Sequence, residues 1–224
     1  RDIELPLCTV LANMEHDGFK VNTEFLKNFG EKLDTEIADC TAAIYLYAGH
    51  EFNINSTKQL AAVLFDEMCL PYPKGKKTKT GYSTANDILE KVRDACEDPI
   101  IDNVIEYRKL SKLKSTYIDG LLKKVGEDGR IHTVFTQTVT QTGRISSTEP
   151  NLQNIPVRTE LGRQLRKAFE AREGCTLIDA DYSQIELRVL AHCSGDAALI
   201  EAYREAKDIH RITASQVFHT PFDE

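Results

Sequence analysis

The amino-acid sequence predicts an α+β fold in which an all-α arm precedes part of a mixed domain. Three observations predict it. Two long stretches in the first 126 residues repeat apolar side chains in steps of three and four. After Glu127-Asp128-Gly129, a turn signal, the composition changes to β-branched residues. Beyond that lie a long polar loop, an apolar run ending on aspartate, and a series of short helical patterns.

In order along the chain, a helix is expected near residues 3–15 and a long amphipathic one from Thr23 to about Tyr47. The latter is marked by Leu26, Phe29, Leu33, Ile37, Cys40, Ile44 and Tyr47. Thr23 is the expected N-cap and Gly49 the stop, and ~25 residues span roughly 37 Å. A second long helix starts at Asp98-Pro99, a cap followed by proline at the first helical position. It runs through Ile101, Val104, Tyr107, Leu110, Leu113, Tyr117 and Leu121 to Gly126. Two shorter helices lie between. One starts at Asn55-Ser56, where Ser56 and Gln59 have capping-box spacing, and the other near Ser83-Thr84. The loop PYPKGKKTKTGY, with four lysines, separates them. The expected shape is an elongated arm with a small helical tip.

RIHTVFTQTVTQT reads as one or two strands. TGRISSTEPNLQNIPVRTE is about 19 residues without periodicity, a length that is usually functional in a compact domain. TLIDAD reads as a strand, and 183–194, 197–206 and 208–218 as helices.

With 41% apolar and 28% charged residues the chain has ordinary globular composition. There is no 18-residue apolar run, so no membrane helix is expected, and RDIELPLCTV has no signal-peptide pattern. Six scattered cysteines without a CxxC pair favour reduced thiols in the cytoplasm over disulfides or zinc. The net charge of −7 is unevenly spread. Residues 1–70 carry net −7 and residues 173–224 net −6, whereas 71–130 and 131–172 carry +3 each. A basic middle beside an acidic end suits a polyanion track leading to a cation site; uneven surface composition is the plainer reading.

Several groups of residues are candidates for chemistry. Asp181 closes TLIDAD, and with the Tyr182 carbonyl it offers the oxygen ligands that Mg²⁺ prefers. Ser183 and Glu186 have capping-box spacing, which alone accounts for Glu186 but not for Asp181. The loop from Thr142-Gly143-Arg144 through Asn151, Gln153, Asn154 and Arg158 concentrates groups that reach base edges and phosphates, or that tie a structural loop together. Lys112, Lys114, Ser115 and Thr116 place phosphate partners on one helical turn that would otherwise be a solvated face. Ser56 opens a helix whose free N–H groups suit an anion. His210, in the first turn of the helix begun by Asp208, suits an anion as well.

TGRISSTEPNLQNIPVRTELG, DADYSQIELRVLAHCSGD and KDIHRITASQVF closely resemble the A family of DNA polymerases in its bacterial branch. FNINSTKQLAAVLFDE and YRKLSKLKSTYIDGLL resemble the thumb of that family, and DYSQIELR its motif A in the palm. The resemblance covers nearly the whole chain. It implies a connector helix over 1–20, a thumb over 21–127, the first part of a palm over 128–195, and helices leading toward the fingers over 196–224.

The resemblance also implies roles. Asp181 and the Tyr182 carbonyl would bind catalytic Mg²⁺, and Glu186 would crowd the sugar 2′ position. Ser183, Gln184, Ile185, Glu186 and His210 would surround the incoming deoxynucleoside triphosphate. Arg144 would read the minor groove at the primer terminus, and Asn151, Gln153, Asn154 and Arg158 would contact primer-template DNA. Asn55, Ser56, Lys112, Lys114, Ser115 and Thr116 would contact the duplex backbone. The implied activity is metal-dependent nucleotidyl transfer by a monomeric, cytoplasmic, nucleoid-associated enzyme without a membrane partner. The fingers helix and a second carboxylate motif, His-Asp-Glu, would follow Glu224, so the 224 residues alone are expected to be inactive. The alternatives are a non-catalytic DNA-binding module with the same surfaces, and a metal-dependent phosphoesterase, for which no further Asp/His cluster is found.

Overall fold

In a computed structural model, residues 1–73, 81–205 and 209–219 are described; the lysine loop of 74–80 and Asp208 lie outside them. The chain divides into two compact units, Arg1–Thr176 and Leu177–Glu224. The mixture of helices with small antiparallel sheets agrees with the expected α+β class.

The first unit opens with α1 (Glu4–Asp17) and the long α2 (Thr23–Ala48). The cap of α2 is Asn22, one residue before the expected Thr23: its Oδ1 accepts from the Phe25 N–H at 2.9 Å. Gly49 ends the helix with φ 79°, a left-handed conformation that glycine adopts without strain. The tip holds α3 (Thr57–Ala62), which continues as a π-helix over Val63–Glu67, and α4 (Asn86–Cys96). Ser56 caps α3 by accepting from the Gln59 N–H at 3.3 Å. The Gln59 side chain does not return the bond to Ser56; it accepts instead from Asn53 N–H at 2.8 Å. Asp98 Oδ1 caps α5 (Pro99–Lys112) by accepting from the Ile100 N–H.

The helix of α5 goes on as a π-helix over Leu113–Asp119 and ends in α6 (Gly120–Leu122). Two apolar cores hold α2 against it. At the tip, Ile44 packs with Leu60, Leu64, Leu89, Ile101 and Val104. At the base, Leu26 and Leu33 pack with Leu110, Leu113, Ile118 and Leu121. The two helices are therefore antiparallel. The base core also takes in Ile131, Leu165 and Ala168, which joins the helical arm to the strands and to α7 (Glu160–Arg166).

Two two-stranded antiparallel sheets follow. The first pairs β1 (Phe19–Lys20) with β2 (Arg130–Ile131), and the second pairs β3 (Val134–Thr136) with β4 (Ser146–Thr148). A Cβ at Gly18, where φ is 59°, would stand 2.7 Å from the His132 ring, so only glycine fits the turn into β1. The TLIDAD strand is not formed. Residues 175–182 have no ladder partner, and Leu177 and Ile178 are 53% and 88% exposed. A strand requires a neighbour for its N–H and C=O groups, and the described residues offer this segment none.

The second unit contains α8 (Ile185–Ser194), α9 (Ala197–Arg204) and α10 (Ile209–Phe218), as expected from periodicity. No described helix is long and apolar enough to cross a membrane.

Ile118 is fully buried, and its Cγ2 would lie 3.2 Å from a Cβ placed on Gly30 of α2, so the two helices meet closely there. Replacing Ile118 by Ala should destabilise the first unit by about 2–5 kcal/mol, the usual range for emptying such a site. Chemical denaturation measures it. A loss under about 1 kcal/mol would mean that the base core does not depend on this contact.

Candidate nucleic-acid interface and carboxylate turn

Lys112, Thr116 and Gly120 follow one another at steps of four along the second long helix, Lys124 stands in the turn just after its end, and all four line one open groove. The groove has a volume of about 640 Å³, and its opposite wall carries Pro150, Asn151 and Asn154 from the polar loop. The structure thus brings together two groups that stand about 35 residues apart in sequence. Lys124 was not among the sequence candidates; its signal was its place three steps of four after Lys112. Tyr117 ties the two walls, since its hydroxyl donates to the Asn154 carbonyl at 2.6 Å. A second cavity of about 520 Å³ shares Lys112 and Tyr117 and reaches Arg108, Lys109, Pro156 and Leu161. Arg108 donates to the Thr84 carbonyl and hydroxyl, and burial lowers its pKa.

Lys114 faces elsewhere. Its Nζ lies 2.9 Å and 3.2 Å from the two carboxylate oxygens of Asp119 and 3.4 Å from Asp34 of α2. The hydrogen bond to Asp119 raises its pKa, and the side chain is only 22% exposed. Its charge is engaged within the fold. The Ser115 hydroxyl donates to the Ser111 carbonyl at 2.7 Å. Asn55 lies at the tip, where its Nδ2 donates to the Tyr107 hydroxyl at 3.0 Å; neither it nor Ser56 lines the groove.

The polar loop is held by a buried hydroxyl pair. Thr133 and Ser147 are 6% and 1% exposed, with their oxygens 2.6 Å apart, and both lie within hydrogen-bond reach of the Pro150 carbonyl. The Leu152 N–H donates to Ser147 Oγ. Asn151 Oδ1 caps the 3-10 turn Leu152–Asn154 by accepting from Gln153 N–H. Gln153 spans the loop: its Nε2 donates to the Ile145 carbonyl at 2.9 Å and its Oε1 accepts from the Ser147 N–H at 3.3 Å. Arg144 and Arg158 are exposed.

In the second unit Asp181 and Tyr182 are exposed just before α8. The Ser183–Glu186 capping box is not formed. The residue preceding α8 is Gln184, in the left-handed region at φ 51°, and no side chain caps the helix. An N-cap residue normally has extended φ/ψ, and the chain enters this helix by another route. Arg188 Nε donates to the Ser183 carbonyl at 2.8 Å, and the Tyr203 hydroxyl donates to Gln184 Oε1 at 3.1 Å. Glu186 is exposed in the first turn of α8, and Ile185 is 46% exposed. His210 lies in α10, with its side chain outside the described residues.

The donors around this turn fit Mg²⁺ in kind: a carboxylate at Asp181 and a backbone carbonyl at Tyr182 are hard oxygen ligands. In number they are part of a shell, since among the described residues no three His, Cys, Asp or Glu side chains gather closely enough to hold a metal ion.

A family model for DNA polymerase family A matches residues 23–224. DNA polymerase I of Lactococcus lactis is 52% identical over 217 residues, which is 97% of this chain and 24% of the relative. The thermostable DNA polymerase I of Thermus aquaticus is 51% identical over 223 residues, 99% of this chain and 26% of that protein. The chain therefore spans about a quarter of the length of the curated relatives it matches. A solved structure of the POL domain of Pol1 from M. smegmatis, in complex with DNA primer-template and dNTP, superimposes with a TM-score of 0.87 at 48% identity, covering 99% of this chain and 39% of that one. A match over residues 23–224, together with about 50% identity along nearly the whole chain, shows that it belongs to DNA polymerase family A.

Proposed function

We propose that this chain forms the duplex-holding arm and the first carboxylate turn of a DNA-directed DNA polymerase that extends a primer from deoxynucleoside triphosphates. The observation that carries the reading is the groove with Lys112, Thr116 and Lys124 on one wall and Asn151 and Asn154 on the other. Cations and amides on facing walls suit a nucleic-acid backbone, where the cations supply affinity and the amides hydrogen-bond phosphate, sugar or base edges. The related M. smegmatis Pol1 domain, solved with DNA primer-template and dNTP, supports the same partners.

In this reading residues 21–127 act as the thumb and 128–195 as the first part of the palm. Lys112 and Thr116 grip the backbone of the duplex, with Ser115 beside them and Asn55 and Ser56 further along at the tip. Lys114 acts as a brace under that surface. Asn151, Asn154, Arg144 and Arg158 face the primer-template, with Gln153 holding their loop in shape. Asp181 and the Tyr182 carbonyl hold Mg²⁺, which when bound neutralises charge developing on the transferred phosphoryl group. Glu186 limits room beside the sugar, and Ser183, Gln184, Ile185 and His210 border the triphosphate. The enzyme acts as a cytoplasmic monomer. By themselves the 224 residues offer one carboxylate of the site, and the non-catalytic DNA-binding reading suits the isolated chain.

Primer-template binding by the 224-residue chain should weaken steeply with salt, while no primer extension with Mg²⁺ and dNTPs is expected. Each phosphate neutralised adds about 0.9 to the slope of log affinity against log salt. Lys112→Ala and Lys124→Ala should each lower that slope by roughly 1. Lys114→Ala should leave the slope nearly unchanged, because Asp34 and Asp119 already neutralise that charge. Fluorescence anisotropy over a salt series decides. Equal slopes for the wild type, Lys112→Ala and Lys124→Ala would remove the groove from the interface.

In the full polymerase, Asp181→Ala should lower turnover by orders of magnitude with DNA affinity nearly unchanged. Glu186→Ala should chiefly raise ribonucleotide use relative to deoxyribonucleotide use, since the 2′-hydroxyl is the feature that separates the two. Single-turnover incorporation of matched rNTP and dNTP measures both, and an unchanged ratio for Glu186→Ala would overturn its role at the sugar.

A further inference from the structure

We propose that Tyr203 of α9 is a positioning residue for the turn between Asp181 and Glu186, acting through Gln184 and Arg188. The clamp itself stands on geometry; its purpose rests on the polymerase reading above.

The expected capping box is absent, so something else must hold the entry to α8. Gln184 sits at φ 51°, ψ 43°, a region that a residue with a side chain occupies only when its surroundings hold it there. Two contacts do so from the same side. The Tyr203 hydroxyl, 19 residues further on, donates to Gln184 Oε1 at 3.1 Å. Arg188, one turn into α8, donates from Nε to the Ser183 carbonyl at 2.8 Å. The two contacts are linked, because the Arg188 guanidinium carbon lies 4.5 Å from the centre of the Tyr203 ring, within cation–π range. One bond fixes the backbone before the left-handed residue and the other fixes its side chain. The ring–cation contact ties both to α9, which packs on α8. Asp181 lies two residues before this clamp and Glu186 two residues after Gln184, so the clamp sets where the first turn of α8 begins relative to Asp181.

The consequence is specific to the hydroxyl. Tyr203→Phe keeps the ring, the cation–π contact and the packing, and removes only the bond to Gln184. Two measurements test it. Amide hydrogen exchange on the 224-residue chain should accelerate about three- to tenfold over residues 184–188 in Tyr203→Phe, in line with the loss of one hydrogen bond, while the rest of the chain is unaffected. In the full polymerase the ratio of ribo- to deoxyribonucleotide incorporation should rise about three- to tenfold in Tyr203→Phe. It should not rise further when Tyr203→Phe is added to Gln184→Ala, because the two residues act through one bond. A general loss of packing would lower incorporation of both nucleotides together and leave the ratio alone.

Glu186→Ala serves as the reference. If it raises the ratio and Tyr203→Phe does not, the positioning role is overturned while the sugar-contact reading stands. If neither changes the ratio, the sugar-contact reading fails and takes the purpose of the clamp with it. Unchanged exchange over 184–188 overturns the clamp directly, whatever the polymerase does.

Discussion

The first unit depends on how the helix that begins at Pro99 is held against α2 where its hydrogen bonding loosens. Over Leu113–Asp119 the helix is π-helical, and this brings Lys114 and Asp119, five residues apart, into direct contact. Asp34 of α2 joins them. Beneath the ion pairs, Leu113 and Ile118 are buried against Leu26 and Leu33. A π turn takes more residues than the 3.6 of an α turn, so steps of four stay on one face, and that face carries Lys112, Thr116 and Gly120, with Lys124 in the turn that follows. Apolar packing and paired charge fix one side of the helix, while Lys112 and Thr116 on another side line the groove.

The facing wall is built by different means. The loop from Ile145 to Asn154 has little apolar surface to bury, so its shape comes from hydrogen bonds: the buried Thr133–Ser147 pair, the Asn151 cap and the Gln153 bridge. Gly162 seats the following helix, since a Cβ there would fall 2.7 Å from the Pro156 Cβ. Polar side chains used in this way do two things at once. They satisfy the backbone of an irregular segment, and they present its remaining amides along the groove. Tyr117 then bridges loop and helix through the Asn154 carbonyl.

Much of this was legible in the residues. The apolar steps from Leu26 to Ile44 and from Ile101 to Leu121 marked the two long helices, and Asp98-Pro99 marked a start to the residue. The family was legible because whole blocks such as DYSQIELR carry far more information than any spacing rule. Other features were not, for physical reasons. The strand Ser146–Thr148 is polar and short, so it has no alternation to read. TLIDAD has strand-forming residues, but pairing depends on a neighbour that local composition does not contain. Ser183 and Glu186 have capping spacing, yet the left-handed turn at Gln184 moves the helix start past Ser183. Among the basic residues on and just after the second long helix, the spacing could not separate Lys114, paired with two aspartates, from Lys112 and Lys124 on the groove.

The proposed nucleic-acid groove has the second long helix as one wall and the polar loop as the other. The most direct measurement is amide hydrogen exchange of the 224-residue chain with and without a primer-template duplex at low salt. Simultaneous protection of residues 112–124 and 145–158, with the same dependence on duplex concentration, is the expected result. Protection confined to one of the two segments, or two segments protected with different affinities, would contradict it.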